Sequence, residues 1–204
     1  MDLRRIANNT ILKSNGKWDL KHKDGDTDDI ISTVLYADKL ADQYTAEMGR
    51  SIRLKSIADF RELWQFVRRN IRYVEDGDVQ VIQSPAELWR TKVGDCKSFS
   101  VFIKSICSNA GFKGGYRFVR YGSNEFVTHV YPWVWFRGRR IFLDAVKGAE
   151  FNQDDLYAGK IDYEWNTGAK IGAPDPASTI PSLFTFKNLV IGGVTYFVIK
   201  KVLA

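Results

Sequence analysis

The stretch KVGDCKSFSVF, residues 92–102, decides how this chain is read. A glycine and an aspartate lead into Cys96, and from there the apolar residues recur at three and four: Phe99, Phe102, Ile103, Ile106, Cys107 and Ala110. That spacing predicts a helix opening at the cysteine, and Gly111 supplies the stop that a left-handed cap requires. Cys96 sits three and seven residues before Phe99 and Ile103, so it shares their inward face. At the first turn it also meets unpaired N–H groups and the positive end of the helix dipole, which favour a thiolate. Cys107, in the middle of the stripe, reads as a small core residue.

Working outward, the helix is preceded by more helical pattern. Asp26 or Thr27 caps a helix over 27–48, with Ile30, Ile31, Val34, Leu40, Ala41, Tyr44 and Met48 along one face. Ser56 and Asp59 open a second over 57–72, carrying Ile57, Phe60, Leu63, Trp64, Val67 and Ile71. A turn-rich connection then ends at Pro85, before a short helical piece around Ala86 to Arg90. Beyond Gly111 the period changes to two: YRFVRY, FVTHVYPWVWF and RRIFLDAV read as strands. Helices first and an antiparallel sheet after them make an α+β fold. The expected organisation is a mostly helical N-terminal extension (1–55), a core (56–165), a linker (166–181) rich in glycine and proline, and an apolar C-terminal tail (182–204).

Composition bounds the function. The 204 residues, 45% apolar and 14% aromatic, suffice for a buried core. The net charge of +6 has its acids spread among its bases, which argues for no specific nucleic-acid partner. No apolar stretch near the start suits a signal peptide, and the twelve uncharged residues from Asn188 to Ile199 fall short of the roughly 20 that span a bilayer. The two cysteines lie roughly 16 Å apart along one helix at 1.5 Å per residue, too far to bridge. A reducing, cytoplasmic or host-intracellular setting is expected.

Metals and cofactors find no template. Asp24, Asp26 and Asp28 imitate a calcium loop, but Asp29 stands where glycine is needed and Leu35 where a bidentate glutamate is needed. Two cysteines and two histidines at these separations make no zinc spacing, and no glycine-rich phosphate loop is present. No cofactor is expected.

A thiol nucleophile needs a base, and histidine is the natural one. His22 lies in a charged, glycine-flanked segment that reads as solvated. His129 shares a strand face with Val127, Tyr131, Trp133 and Trp135, where a hydrogen-bonded core histidine is the ordinary reading. Asp144 changes that. If Arg137-Gly138 is a two-residue turn, Phe136 pairs with Arg139, Tyr131 stands opposite Asp144 and His129 opposite Val146. Asp144 is then diagonal to His129 on one face, within side-chain reach, and an aspartate between Leu143 and Ala145 needs such a partner.

GDCKSFSVFIKSICSNAGF, then THVYPWV, then RRIFLDAV, in the order Cys, His, Asp, resembles the transglutaminase-like superfamily of papain-type thiol enzymes. The lead-in NIRYVEDGDVQVIQSPAELW is similar to that of bacterial and phage members, and the resemblance covers about residues 56–147. It implies a papain/transglutaminase-like core with Cys96 as nucleophile, His129 as general base and acid, and Asp144 as its orienter. Gln83 and the Cys96 N–H are expected to bind the oxyanion, with Trp89 as a rival to Gln83. Trp89 or Trp133 could wall a substrate groove. Two roles follow: a cysteine-dependent amide hydrolase or acyltransferase acting on protein or peptide through a thioester, or a structural module, such as a phage virion component, that keeps the fold. In either role the apolar tail is a strand or helix docked on the core, or an anchor to a protein or virion partner or to a membrane that it does not span.

Overall fold

Residues 1–11, 18–23, 27–154, 157, 159–164, 170–171, 184–191 and 194–201 of the computed structural model are described here, with backbone alone for 18–23 and from 164 onward. Five helices stand among the described residues, all before the main sheet: α1 (Leu3–Thr10), α2 (Thr27–Ser51), α3 (Ile57–Asn70), α4 (Pro85–Thr91) and α5 (Cys96–Asn109). Their ends follow local chemistry. Asp2 caps α1, the reciprocal Ser56–Asp59 box opens α3, and Ser84 with Pro85 at the first turn opens α4. Asp95 caps α5 by accepting the Ser98 N–H at 3.0 Å.

The expected α+β order holds. A five-stranded sheet runs β7 (Arg139–Phe142), β6 (His129–Phe136), β5 (Gly114–Arg120), β8 (Gly159–Glu164), β9 (Lys170–Ile171), all antiparallel. Arg137 and Gly138 both take positive φ (50° and 79°), the two-residue turn whose twist suits a hairpin, and Phe136 pairs with Arg139 as the register predicts. The ladder stops at Trp133–Phe142, with one further bond from Leu143 N–H to the Pro132 carbonyl at 2.9 Å. Strand pairing therefore does not extend to Val146. The Asp144 carboxylate takes the N–H groups of Val146 and Lys147 at 2.9 and 3.0 Å, curling the chain into a turn.

One core joins helices and sheet. Phe99, Phe102, Ile103 and Ile106 of α5 pack with Tyr116, Phe118, Val130, Val134 and Phe136, and α2 closes the other side with Val34, Ala37, Ala41 and Met48. The approach of α2 to α5 is so close that a Cβ on Gly49 would lie 2.3 Å from that of Asn109. Residues 1–55 contribute α1, the strand β1 (Trp18–Lys23) and α2, and Leu3, Ala7 and Ile11 enter the same core.

The opening sequence is polar as a whole, yet Leu3, Ile6, Ala7 and Ile11 recur at three and four behind the Asp2 cap, a signal of α1 that the expected boundaries pass over. The strand β1 alternates Trp18, Leu20 and His22 with the charged Asp19, Lys21 and Lys23, and it is held by its neighbours: it runs antiparallel to β3 (Val79–Gln83) and parallel to β11 (Val194–Lys201), which pairs in turn with β10 (Phe184–Ile191). His22, expected in a solvated segment, stands in β1 opposite Gln80. The apolar tail thus carries a hairpin in a four-stranded sheet. The expected linker lies outside the described residues except for β9. Among the described residues no helix is long and apolar enough to cross a membrane.

Candidate active site

Cys96 is the first residue of α5, 9% exposed. The bond that seats it on the sheet was not foreseen. Ser100, one turn on, has its hydroxyl 2.6 Å from the Cys96 carbonyl and 2.9 Å from that of Val130, tying the helix start to the strand residue after His129.

His129 opens β6 and is 2% exposed. Its Nε2 lies 2.7 Å from Asp144 Oδ2. Nδ1 is buried without a conventional hydrogen-bond partner and is the nitrogen left to face Cys96. Burial alone would drive the proton off this ring. The hydrogen bonds and charges of Asp144 and Cys96 outweigh it and lift the imidazole to about 9.

Asp144 is fixed from every side. Besides His129 it holds the two N–H groups of its own turn, and its carbonyl accepts the Trp64 indole N–H at 2.6 Å. Arg68 stacks over Trp64 at 4.7 Å and donates to the Gly148 carbonyl, so α3 clamps both ends of the Asp144 turn. Trp64 reads in the sequence as one more apolar stripe residue. The only signal of its role is that a buried indole N–H requires an acceptor.

Gln83, the last residue of β3, lies beside the segment that leads to Cys96. Its backbone N–H donates to the Ser98 hydroxyl at 3.1 Å, and its Oε1 accepts from Thr91 at 3.4 Å. That oxygen would lie 3.6 Å from a Cβ placed on Gly94.

The two tryptophans expected at the groove are elsewhere. Trp89 is 1% exposed, stacks on Phe102 with centroids 6.3 Å apart, and donates its indole N–H to Asn8 of α1 at 3.1 Å. Its partner lies on a helix that was not foreseen. Trp133 is 0% exposed and covered by Arg140 at 4.4 Å, on the face of β6 turned away from α5. There Tyr131 bonds Asp154 at 3.0 Å, and Arg117 pairs with Asp162 at 2.7 Å. Neither tryptophan is open to a groove, because α1 meets Trp89 through Asn8 and Arg140 covers Trp133 on the other face of the sheet.

A buried lysine adjoins Cys96. Lys97 pairs with Asp95 and Asp76 and bonds Gln80 at 2.7 Å. Burial opposes its charge, but Asp95, Cys96 and Asp76 overcome it and hold the ammonium above its ordinary range. Among the described residues no group of three or more His, Cys, Asp or Glu side chains is arranged to hold a metal ion.

The model of the transglutaminase-like superfamily matches residues 38–145, a span that contains Cys96, His129 and Asp144. A solved structure of a candidate protease from Parabacteroides distasonis is similar over 72% of this chain, with a TM-score of 0.50 and 10% identity. A candidate cysteine protease from Cytophaga hutchinsonii is similar over 61%, with a TM-score of 0.39 and 17% identity. The chain covers only 30% and 44% of those two proteins, and at such identities the likeness is one of fold. No curated protein matches the chain.

Proposed function

Because the chain belongs to the transglutaminase-like superfamily, we propose that it is a cysteine-dependent amide hydrolase or acyltransferase, peptidase-like in its chemistry. The observation that carries this reading is the buried 2.7 Å contact between His129 Nε2 and Asp144, with Nδ1 left to Cys96. A structural module would have no use for all three groups together.

In this reading the Cys96 thiolate attacks the amide carbonyl, and the oxyanion is received by the Cys96 N–H and the Gln83 amide. The imidazolium gives its Nδ1 proton to the departing nitrogen, the C–N bond breaks, and a thioester remains on the sulfur. Nδ1 then takes a proton from water, or from an incoming amine, as that group attacks the thioester. The acyl product leaves with the sulfur restored as thiolate. Asp144 holds the imidazole in the tautomer these steps need and stabilises its charge.

The test begins with iodoacetamide at neutral pH, followed by peptide mass mapping. Cys96 is expected to alkylate at least about tenfold faster than Cys107, and His129→Ala to slow it. Screening peptide, glutamine-donor and cell-wall amide substrates, with Cys96→Ala as control, then identifies the reaction. Equal, slow labelling of both thiols in the folded protein refutes the enzyme.

A further inference from the structure

With Cys96 almost covered, a substrate must reach its sulfur along the surface beside the helix start. On the helix side that surface is the segment 73–79, and both its ends are pinned. At one end β2 (Arg72–Tyr73) runs parallel to β4 (Val93–Gly94), placing Tyr73 opposite Gly94, and the Val74 N–H donates to the Gly94 carbonyl at 2.9 Å. At the other, Asp76 and Gln80 grip Lys97 Nζ at 3.0 and 2.7 Å, and Asp76 also accepts the Val81 N–H at 2.7 Å.

Between the pins the segment presents apolar side chains to solvent. Tyr73, Val74 and Val79 are 39%, 40% and 42% exposed, and they are half of the large apolar side chains exposed among the described residues. Tyr73 turns its ring edge-on to Phe99, centroids 6.5 Å apart, and Phe99 shares the helix face of Cys96 three residues on. Partial burial, then the charges of Cys96, Glu75 and Asp95, push the Tyr73 phenol up to about 12, so its hydroxyl lies within electrostatic reach of the sulfur.

The chemistry orients the substrate. His129 must protonate the leaving nitrogen, so the leaving group lies toward the imidazole, where Tyr121 also stands with ring centroids 6.1 Å apart. The acyl part runs the other way. We infer that Tyr73 determines specificity for the acyl portion of the substrate, with Val74 and Val79 completing an apolar ledge that takes an aromatic or large aliphatic residue beside the scissile amide. Glu75 and Asp78, both exposed on the same segment, turn acidic acyl residues away. Lys97 is a positioning residue, acting on the substrate only through the segment it holds.

The inference rests on the thiol-enzyme reading, and one experiment separates the two. The full chain is inactivated with N-acetylphenylalanyl and N-acetylglycyl chloromethyl ketones, whose chloride the Cys96 sulfur displaces. Each rate is normalised to iodoacetamide on the same preparation. The phenylalanyl label should react at least about tenfold faster than the glycyl label. Tyr73→Ala should bring that ratio close to one, while Tyr73→Phe keeps it. Equal rates for the two labels, or a ratio that survives in Tyr73→Ala, would overturn the ledge. If iodoacetamide does not single out Cys96 in the wild-type protein, the thiol-enzyme reading falls and the ledge with it.

Discussion

The two ends of α5 carry almost the same residues in opposite circumstances. At the start, Cys96 adjoins Lys97, which is buried and paired with Asp95 and Asp76. Near the end, Cys107 adjoins Lys104, which is buried, paired with Asp38 and close to the Tyr116 hydroxyl that Asp38 accepts at 2.7 Å. Each thiol thus lies within reach of an ammonium. Yet burial pushes the Cys107 thiol up to about 12, and the opposing pull of Lys104 does not prevent it. A nearby lysine is therefore not enough to make a nucleophile. What the start of the helix adds is a histidine bonded to a carboxylate, and in the proposed reaction that pair makes the difference.

The comparison breaks most sharply at Asp144. In Asp144→Asn the side chain can still accept the N–H groups of Val146 and Lys147, but its amide offers Nε2 a donor and so favours the wrong tautomer of His129. Amide turnover is expected to fall by about 10²–10⁴-fold, measured as kcat/KM on whichever amide the screen finds. A loss of less than about threefold would mean that His129 needs no orienter.

A smaller effect separates the two roles of the imidazole. Its folded value of about 9 exceeds the ordinary 6.5, so the proton is fully in place below the lower figure and is lost as pH rises through the higher. Turnover of an amide should therefore decline above about pH 9 for want of the acid. Alkylation of Cys96, which needs only the thiolate, should not decline. Parallel pH profiles would show that His129 does not protonate the leaving group.

The smallest effect is expected at the other end. Cys107→Ala should leave alkylation of Cys96 unchanged and cost about 1 kcal/mol of stability in a denaturant titration. Any loss of turnover beyond that of unfolding would sharpen the question of how the far end of α5 communicates with the near one.

Much of this architecture could be read before any coordinates. The stripe from Phe99 to Ala110, the Ser56–Asp59 box and the two-residue turn at Arg137-Gly138 are each encoded within a few positions. For the same reason the His129–Asp144 juxtaposition was within reach: fifteen residues apart, they are joined by a hairpin whose turn sets the register. The ladder ended earlier than the register suggested, but the turn that ended it is made by Asp144 itself.

The rest depended on parts of the chain that meet only after folding. Trp64 finds the Asp144 carbonyl, Trp89 finds Asn8, and Lys97 finds Asp76 and Gln80, across separations of 80, 81, 21 and 17 residues. No periodicity announces such pairs, since a stripe shows that a side chain is buried and not what it is buried against. The helix, the hairpin and the order Cys, His, Asp follow from local spacing and turn chemistry, so they are written in the chain alone. Only the tertiary structure decided which tryptophan steadies the site, why a lysine can be buried beside the sulfur, and which aromatic ring is left open at its edge.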